Sequence, residues 1–427
     1  MALLKFGEGI AVATCGSKLR IFSYRTDYSS FTEDLQNQEE ILPQRNAEKQ
    51  NERDTSSESK TTDPQQKQPT GAILSCNIHR VVISSLVVMT GKTSTCGKLI
   101  HGVFFLKGNI PERRSIQKRC TSVTFTPSEE FVLLADKFGD VYQFSVKTVD
   151  EPGSLLLGHV SMLLDVAATP DNKFIITCDR DEKIRVSCFP NAYNIHGYCL
   201  GHTQFVSCFK IVPGKENLLV SAGGLWDYHD CKQLASVDIN HESRVKKPEE
   251  YFTVTHLTCS KNGYVAISLL GEIVCLVYKV LEDSSGYTLK EVSKMHNEAD
   301  IFCITFDLKG CLWVIQGSPV EAVQVFQLSD LNEKVEVTRA TSFAEAWQKS
   351  VLELLNKEWE FLKDSLNADQ ALVSLHKKNY NHMQEYMNKK QQRIADEEIR
   401  KEKYEARLAR QEQRKRMKVE NKDESKM

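Results

Sequence analysis

The sequence predicts an all-β ring of seven propeller blades, followed by a helical extension at its C-terminal end. Three observations carry this prediction. The stretch Leu157 to Ser187, LGHVSMLLDVAATPDNKFIITCDRDEKIRVS, holds a Gly-His pair, a strand-like run, a Pro-Asp-Asn turn, a second strand, an Asp-Arg-Asp turn and a third strand. Gly-His returns at Gly201-His202, 43 residues on, and this second copy runs to Leu225-Trp226-Asp227. After Leu331 the apolar spacing changes to that of a helix.

A unit of this length that opens on Gly-His and closes on Trp-Asp is the pattern of WD40 repeats. The fold class is therefore a seven-bladed WD40 β-propeller over residues 1–330, with a charged helical extension over 331–427. In the best-formed unit Gly158-His159 opens the blade and Asp181 sits in its second turn. That spacing brings His159 and Asp181 within hydrogen-bond reach, with Thr177 between them, and a satisfied polar network of this kind fixes register. His202 and Trp226 hold the corresponding positions in the next unit. A plain antiparallel hairpin with a core histidine is the alternative for the first unit taken alone.

In chain order, Ala2 to Tyr24 forms the first blade. Thr32 to Thr70, rich in Glu, Gln, Asn and Lys, cannot bury enough apolar surface to offset its ordering entropy and is expected to be a disordered loop inserted in the ring. Gly71 to Leu106 supplies a second blade in which the usual turn residues are missing. Arg119 to Val146 is the third, with Asp136 to Asp140 as its turn; the fourth and fifth start at Gly158 and Gly201, the sixth covers Tyr251 to Val280 and the seventh Ile301 to Leu328. In the fifth, Ser221-Ala222-Gly223-Gly224 runs straight into Leu225-Trp226-Asp227, so a turn carboxylate and part of a third strand are expected to be absent. Seven blades close a ring and remove exposed sheet edges. Trp347, Val351, Leu354, Leu355, Phe361, Leu362 and Leu366 predict an amphipathic helix from about Phe343 to Leu366, whose apolar face packs on the propeller's side or docks on another protein. A weaker stripe, Leu372 to Met387, leads into Arg393 to Lys418, where acids and bases alternate at helical spacing as in a solvated helix.

Composition narrows the function. The chain has 427 residues, 41% of them hydrophobic, a formal charge of -2 and thirteen cysteines placed singly. No Cys-x-x-Cys pair or His-rich cluster marks a zinc site or disulfide framework, which predicts a reducing compartment. No stretch approaches the ~20 apolar residues of a membrane span, and the apolar start is too short for a signal peptide, so a soluble intracellular protein without membrane contact is expected. No phosphate loop, nucleophile elbow, metalloprotease helix or dinucleotide fingerprint is present, so no catalytic residue is assigned. Asp179, Asp181 and Glu182 share one turn, but Arg180 and Lys183 interleave them, which favours ion pairing over a metal. The positive candidates are cations on rigid turns: Lys118, Arg119 and Lys137 around the third blade, suited to phosphates, and Arg180, Lys183 and Arg185 in the fourth. The cluster Arg414 to Lys418 is usable for nuclear import.

The run from Leu157 to Ser187, with CLGHTQFVS after it and RCTSVTFTPSEE and LLADKFGDVYQFSV before it, resembles the WD-repeat, non-catalytic subunit of tRNA (guanine-N7-)-methyltransferase. The resemblance implies a subunit that takes no cofactor itself and stabilises a separate catalytic methyltransferase as a heterodimer. That partner uses S-adenosylmethionine to methylate a guanine in the tRNA variable loop. It further implies that Lys183 and Arg185, grouped with Arg180, face the catalytic partner, that Lys118, Arg119 and Lys137 lie near the tRNA backbone, and that the complex works in the nucleus and also in the cytoplasm. A WD-repeat substrate receptor of a ubiquitin ligase is the alternative from another class, and a standalone RNA-binding propeller, which the near-neutral charge disfavours, is a third.

Overall fold

The computed structural model describes residues 2–7, 10–15, 18–23, 30–34, 72–78, 85–90, 101–107, 110–116, 119–148, 151–215, 217–239, 252–284, 286–331, 334–357, 359–363, 372, 374–376 and 382–424. Lys118 and most of the expected inserted loop, from residue 35 onward, lie outside the described residues. Residues 1–376 and 377–427 form two compact units.

Among the described residues the first unit holds seven four-stranded sheets, each made of four consecutive antiparallel strands. They are β1–β4 (Ala2 to Asp34), β5–β8 (Ala72 to Ile116), β9–β12 (Cys120 to Gly158), β13–β16 (Leu163 to Cys199), β17–β20 (Phe209 to Ser236), β21–β24 (Val254 to His296) and β25–β28 (Ile301 to Arg339). The propeller therefore reaches Arg339, nine residues past the boundary expected at 330, because β28 (Lys334–Arg339) still pairs with β27 (Val323–Leu331) as the outer strand of the seventh sheet.

The sequence of each sheet's second strand follows from its place between two neighbours. In β14 (Phe174–Asp179), β22 (Tyr264–Leu269) and β26 (Leu312–Gln316) every residue is buried, on both faces of the strand. Face-to-face stacking of sheets covers both sides, so these strands read as unbroken apolar runs rather than as alternation. One core joins the third and fourth sheets through Leu133, Val141, Leu163 and Ile175, and another joins the fourth and fifth through Ile176, Val186, Phe209 and Trp226. At the centre of the ring, Asp165 binds three blades together: one oxygen accepts from Ser122 Oγ at 2.7 Å and the other from Lys210 Nζ at 3.3 Å.

The ring closes between its first and seventh blades. Leu4 N–H donates to Cys303 Sγ at 3.4 Å, and Leu4, Ala11 and Ala13 share a core with Trp313, Ile315 and Val325. Helix α1 (Ala346–Lys357) lies on this junction, burying Trp347, Val351 and Leu355 in the same core, and α2 (Trp359–Leu362) adds Leu362. Asn356 fixes α1 to β27 by accepting from Val323 N–H at 2.8 Å and donating to Val323 O at 3.1 Å, while Gln348 donates to the buried Asp307 carboxylate at 2.7 Å. Of the two readings for this helix, packing on the propeller is the one observed.

The fifth blade keeps its third strand, in correction of that expected loss, while the turn carboxylate is absent as expected, Ser221, Ala222 and Gly223 leading straight into Gly224. β18 (Leu218–Ser221) and β19 (Gly224–Asp227) are joined by only Ala222 and Gly223, and β19 pairs along its whole length with β18 and with β20 (Lys232–Ser236). Gly223 makes the short connection feasible: it has φ 75°, and a Cβ there would collide with Val237 O. The second unit is a single helix, α3 (His382–Glu424), 43 residues long. Among the described residues no helix is long and apolar enough to cross a membrane.

Candidate nucleic-acid and partner interface

The candidate cations cluster around two turns of the same design. In the third blade, β10 (Phe131–Asp136) ends on Asp136, whose Oδ1 accepts from Phe138 N–H at 2.8 Å and Asp140 N–H at 3.0 Å. In the fourth, β14 ends on Asp179, whose Oδ1 accepts from Asp181 N–H at 2.9 Å and Lys183 N–H at 3.1 Å. Each carboxylate thus satisfies the backbone of its own turn. Each turn also passes through a left-handed residue at the same place, Gly139 with φ 103° and Glu182 with φ 70°. A cation occupies the same position in both, Lys137 and Arg180, and both are exposed.

The loop that carries His159 lies between the two turns. His159 N–H donates to Gly139 O at 2.7 Å, and Arg180 N–H donates to Met162 O at 2.9 Å. Arg119 is held beside Lys137 because Lys137 N–H donates to Arg119 O at 3.0 Å. Arg119, Lys137, Arg180 and Lys183 therefore stand as exposed cations on one stretch of rim, interrupted by Phe138, 54% exposed, and by the fully exposed Val160. Single exposed apolar residues are ordinary on a surface, but these two are set among cations on rigid turns, a mixed surface that can hold phosphates through its charges and a protein through its apolar tips.

The blade network differs from the sequence reading in one member. His159 Nε2 lies 2.8 Å from Thr177 Oγ1, and Nδ1 lies 3.1 Å from the carboxylate of Asp179, not Asp181. Asp179 closes the buried strand and points inward, whereas Asp181 sits at the tip of the turn, half-buried. Burial works to raise the Asp179 carboxyl, but the hydrogen bonds from His159 and from Lys183 N–H outweigh it and hold the group below the usual carboxylate range. With both oxygens of Asp179 engaged, the acidic turn offers no cation site, and no cluster of three metal-ligating side chains occurs among the described residues. In the fifth blade His202 Nε2 lies 2.7 Å from Ser221 Oγ, which also accepts from Trp226 Nε1 at 2.7 Å.

Arg185 is the second departure. The resemblance implies that Lys183 and Arg185 both face the partner, but Lys183 is exposed in the turn while Arg185, within β15 (Ile184–Cys188), is 7% exposed. Its guanidinium donates to Ser187 Oγ at 2.9 Å, Gly158 O at 2.9 Å and Ala192 O at 3.2 Å. It ties β15 to Gly158, the last residue of the third sheet, and to the loop after its own strand. Phe138 and Val160 were not singled out in the sequence, because an exposed apolar residue in a turn carries no periodic signal.

The family described as tRNA methyltransferase TRM82 WD40 domain matches residues 11–154 and 147–309. The tRNA (guanine-N(7)-)-methyltransferase non-catalytic subunit wdr4 of Danio rerio is 35% identical over 288 residues, which is 66% of this chain and 68% of that protein. The WDR4 protein of Homo sapiens, with the same description, is 35% identical over 285 residues, covering 65% and 67%. The wuho protein of Drosophila mojavensis, also described as this non-catalytic subunit, is 30% identical over 292 residues, covering 67% and 72%. Among solved structures, a chain of the crystal structure of the mitotic checkpoint complex superposes with a TM-score of 0.54 at 11% identity, covering 80% of this chain and 90% of that one, a likeness of fold alone.

Proposed function

Since this chain belongs to the family of tRNA methyltransferase WD40 subunits, we propose that it serves as the non-catalytic subunit of a tRNA (guanine-N7-)-methyltransferase, pairing with one catalytic subunit and helping to place tRNA for methylation. The observation that carries this reading is the family match over residues 11–309, which takes in the blades that bear the exposed cations. Arg119 and Lys137 are suited to phosphates. Lys183 and Arg180, beside Phe138 and Val160, are suited to a protein surface with acidic and apolar groups. Arg185 contributes from inside the propeller, joining its strand to Gly158 and Ala192. S-adenosylmethionine then belongs to the catalytic subunit, and the complex is placed in the nucleus and also in the cytoplasm. A ubiquitin-ligase receptor is not favoured, since the relatives are described otherwise.

Reconstitution tests the reading. The catalytic subunit is purified alone and with this chain, and N7-methylguanosine in a tRNA transcript is measured with both. A stable complex and a marked gain in methylation are expected; a catalytic subunit that neither binds this chain nor responds to it would sink the proposal.

A further inference from the structure

Helix α3 is one unbroken helix from His382 to Glu424, and one side of it carries an excess of basic residues. At 3.6 residues per turn, Lys389, Arg393, Arg400, Lys403, Arg407 and Arg410 fall within an arc of about 100°, and all six are exposed. The sequence continues the spacing with Arg414 and Lys418. Glu398, Glu402 and Glu405 fall on the opposite flank. Between the two flanks runs an apolar strip that includes Met383, Met387, Ile394 and Leu408, exposed by 70%, 46%, 48% and 43%. Wound on a helix, the alternation of acids and bases leaves one side predominantly basic, with Glu385 and Asp396 within it and Lys390 and Lys401 outside it.

A helix that stands alone in water gains from opposite charges three or four residues apart and loses from like charges at those distances. Here Lys389 faces Arg393, Lys403 faces Arg407 and Arg407 faces Arg410, all like-charged neighbours. Lys389 pairs with Glu385 at 2.7 Å, but Arg393, Arg400, Lys403, Arg407 and Arg410 make no ion pair among the described residues. Asp396, three residues from Arg393 and four from Arg400, offsets part of the repulsion on this side, and an extended polyanion would relieve the rest. From Lys389 to Arg410 the row is about 32 Å long, the scale of a run of phosphates along a double-helical stem rather than of a single anion. An anionic membrane fits less well: a helix lying on its apolar strip would bring the acidic flank to the surface as well as the basic one.

We infer that the basic flank of α3 is a phosphate-binding arm that tracks the backbone of a double-helical stem of RNA. The inference rests on the tRNA reading above and extends it to a part of the chain outside the propeller.

The test uses the full chain assembled with its catalytic subunit, and the variant Arg393→Gln, Arg400→Gln, Lys403→Gln, Arg407→Gln, Arg410→Gln. Glutamine keeps helix propensity, and far-ultraviolet circular dichroism checks that the helix content is kept. Binding of an unmodified tRNA is followed by anisotropy across a salt series. The variant is expected to bind roughly tenfold or more weakly near physiological salt, with the slope of log affinity against log salt reduced by about 3 to 4, since each phosphate contact contributes close to one. A control, Glu398→Gln, Glu402→Gln, Glu405→Gln, should bind at least as tightly as the parent. An unchanged slope in the five-residue variant overturns the arm and leaves the tRNA reading standing, whereas a parent complex that binds no tRNA removes both. Loss of binding to phosphatidylserine vesicles with an unchanged RNA slope assigns the flank to membranes and overturns the inference.

Discussion

Trp347 of α1 lies parallel to Trp313 of the seventh blade, the ring planes 5° apart and the centroids 6.4 Å from one another. Phe6 of the first blade packs on both, at 4.9 Å from Trp313 and 5.8 Å from Trp347. Three rings from three distant stretches of sequence meet where the ring closes. Trp347→Ala should therefore cost about 3 to 5 kcal/mol, and chemical denaturation of the purified chain will measure it. A loss under 1 kcal/mol would show that α1 is incidental to closure.

Arg185 supplies a second prediction. Its three donors satisfy Gly158 O of the third sheet and Ala192 O and Ser187 Oγ of its own blade, so Arg185→Leu strands buried carbonyls and should destabilise the isolated chain by roughly 2 to 4 kcal/mol. Lys183→Ala and Arg180→Ala should leave melting unaltered and weaken binding to the catalytic subunit. The reverse pattern, with a normally melting Arg185→Leu chain that fails to bind, would return Arg185 to the docking surface.

Arg119 and Lys137 bear on RNA. Changing both to Ala should lower the salt slope of tRNA binding by the assembled complex by about 2, with the melting temperature and the protein partner retained. If the slope does not move, the rim of the third blade is not on the phosphate path.

His202 gives the fold a dependence on pH. Burial pushes its imidazole down to about 4, against a smaller upward pull from Glu182, while an unfolded histidine titrates near 6.5. Between those values the unfolded chain holds the extra proton, so stability falls as pH drops from about 6.5 towards 4. The contact is compatible with a neutral ring: Ser221 Oγ already accepts from Trp226 Nε1, and its own proton is left to point at His202 Nε2. By pH 5 the His202→Gln chain should have lost roughly 2 kcal/mol less than the parent. Parallel stability curves for the two proteins would contradict this.

Much of this was legible in the sequence, and the failures have physical causes. The fully buried middle strands, FIITCD and YVAISL among them, announce themselves as apolar runs. The outer strands do not: β16 (Ile195–Cys199) and β20 have one neighbour strand and mostly exposed residues, so neither periodicity nor hydrophobicity marks them. Asp181 was preferred to Asp179 because the turn was read by itself. Aligning ADKFGD with CDRDEK puts Asp179 opposite Asp136 and Glu182 opposite Gly139, which identifies the capping carboxylate. Strand alternation alone would put Arg185 on the same face as Lys183, a rule that holds for a sheet with one wet face and fails for one stacked on both sides.

The way the ring closes sets an order of events during synthesis. No sheet borrows a strand from elsewhere in the chain, so each blade can form as soon as its own four strands have left the ribosome. The seal between first and seventh blades is different, since Trp347, Val351, Leu355 and Leu362 emerge after every strand has been made. Until then the junction of the first and seventh blades lacks the helix that covers Phe6 and Trp313, and that apolar surface stays open. Quality control that senses exposed apolar surface therefore has a clear moment at which to act, and a premature stop before Ala346 yields a chain that never passes it.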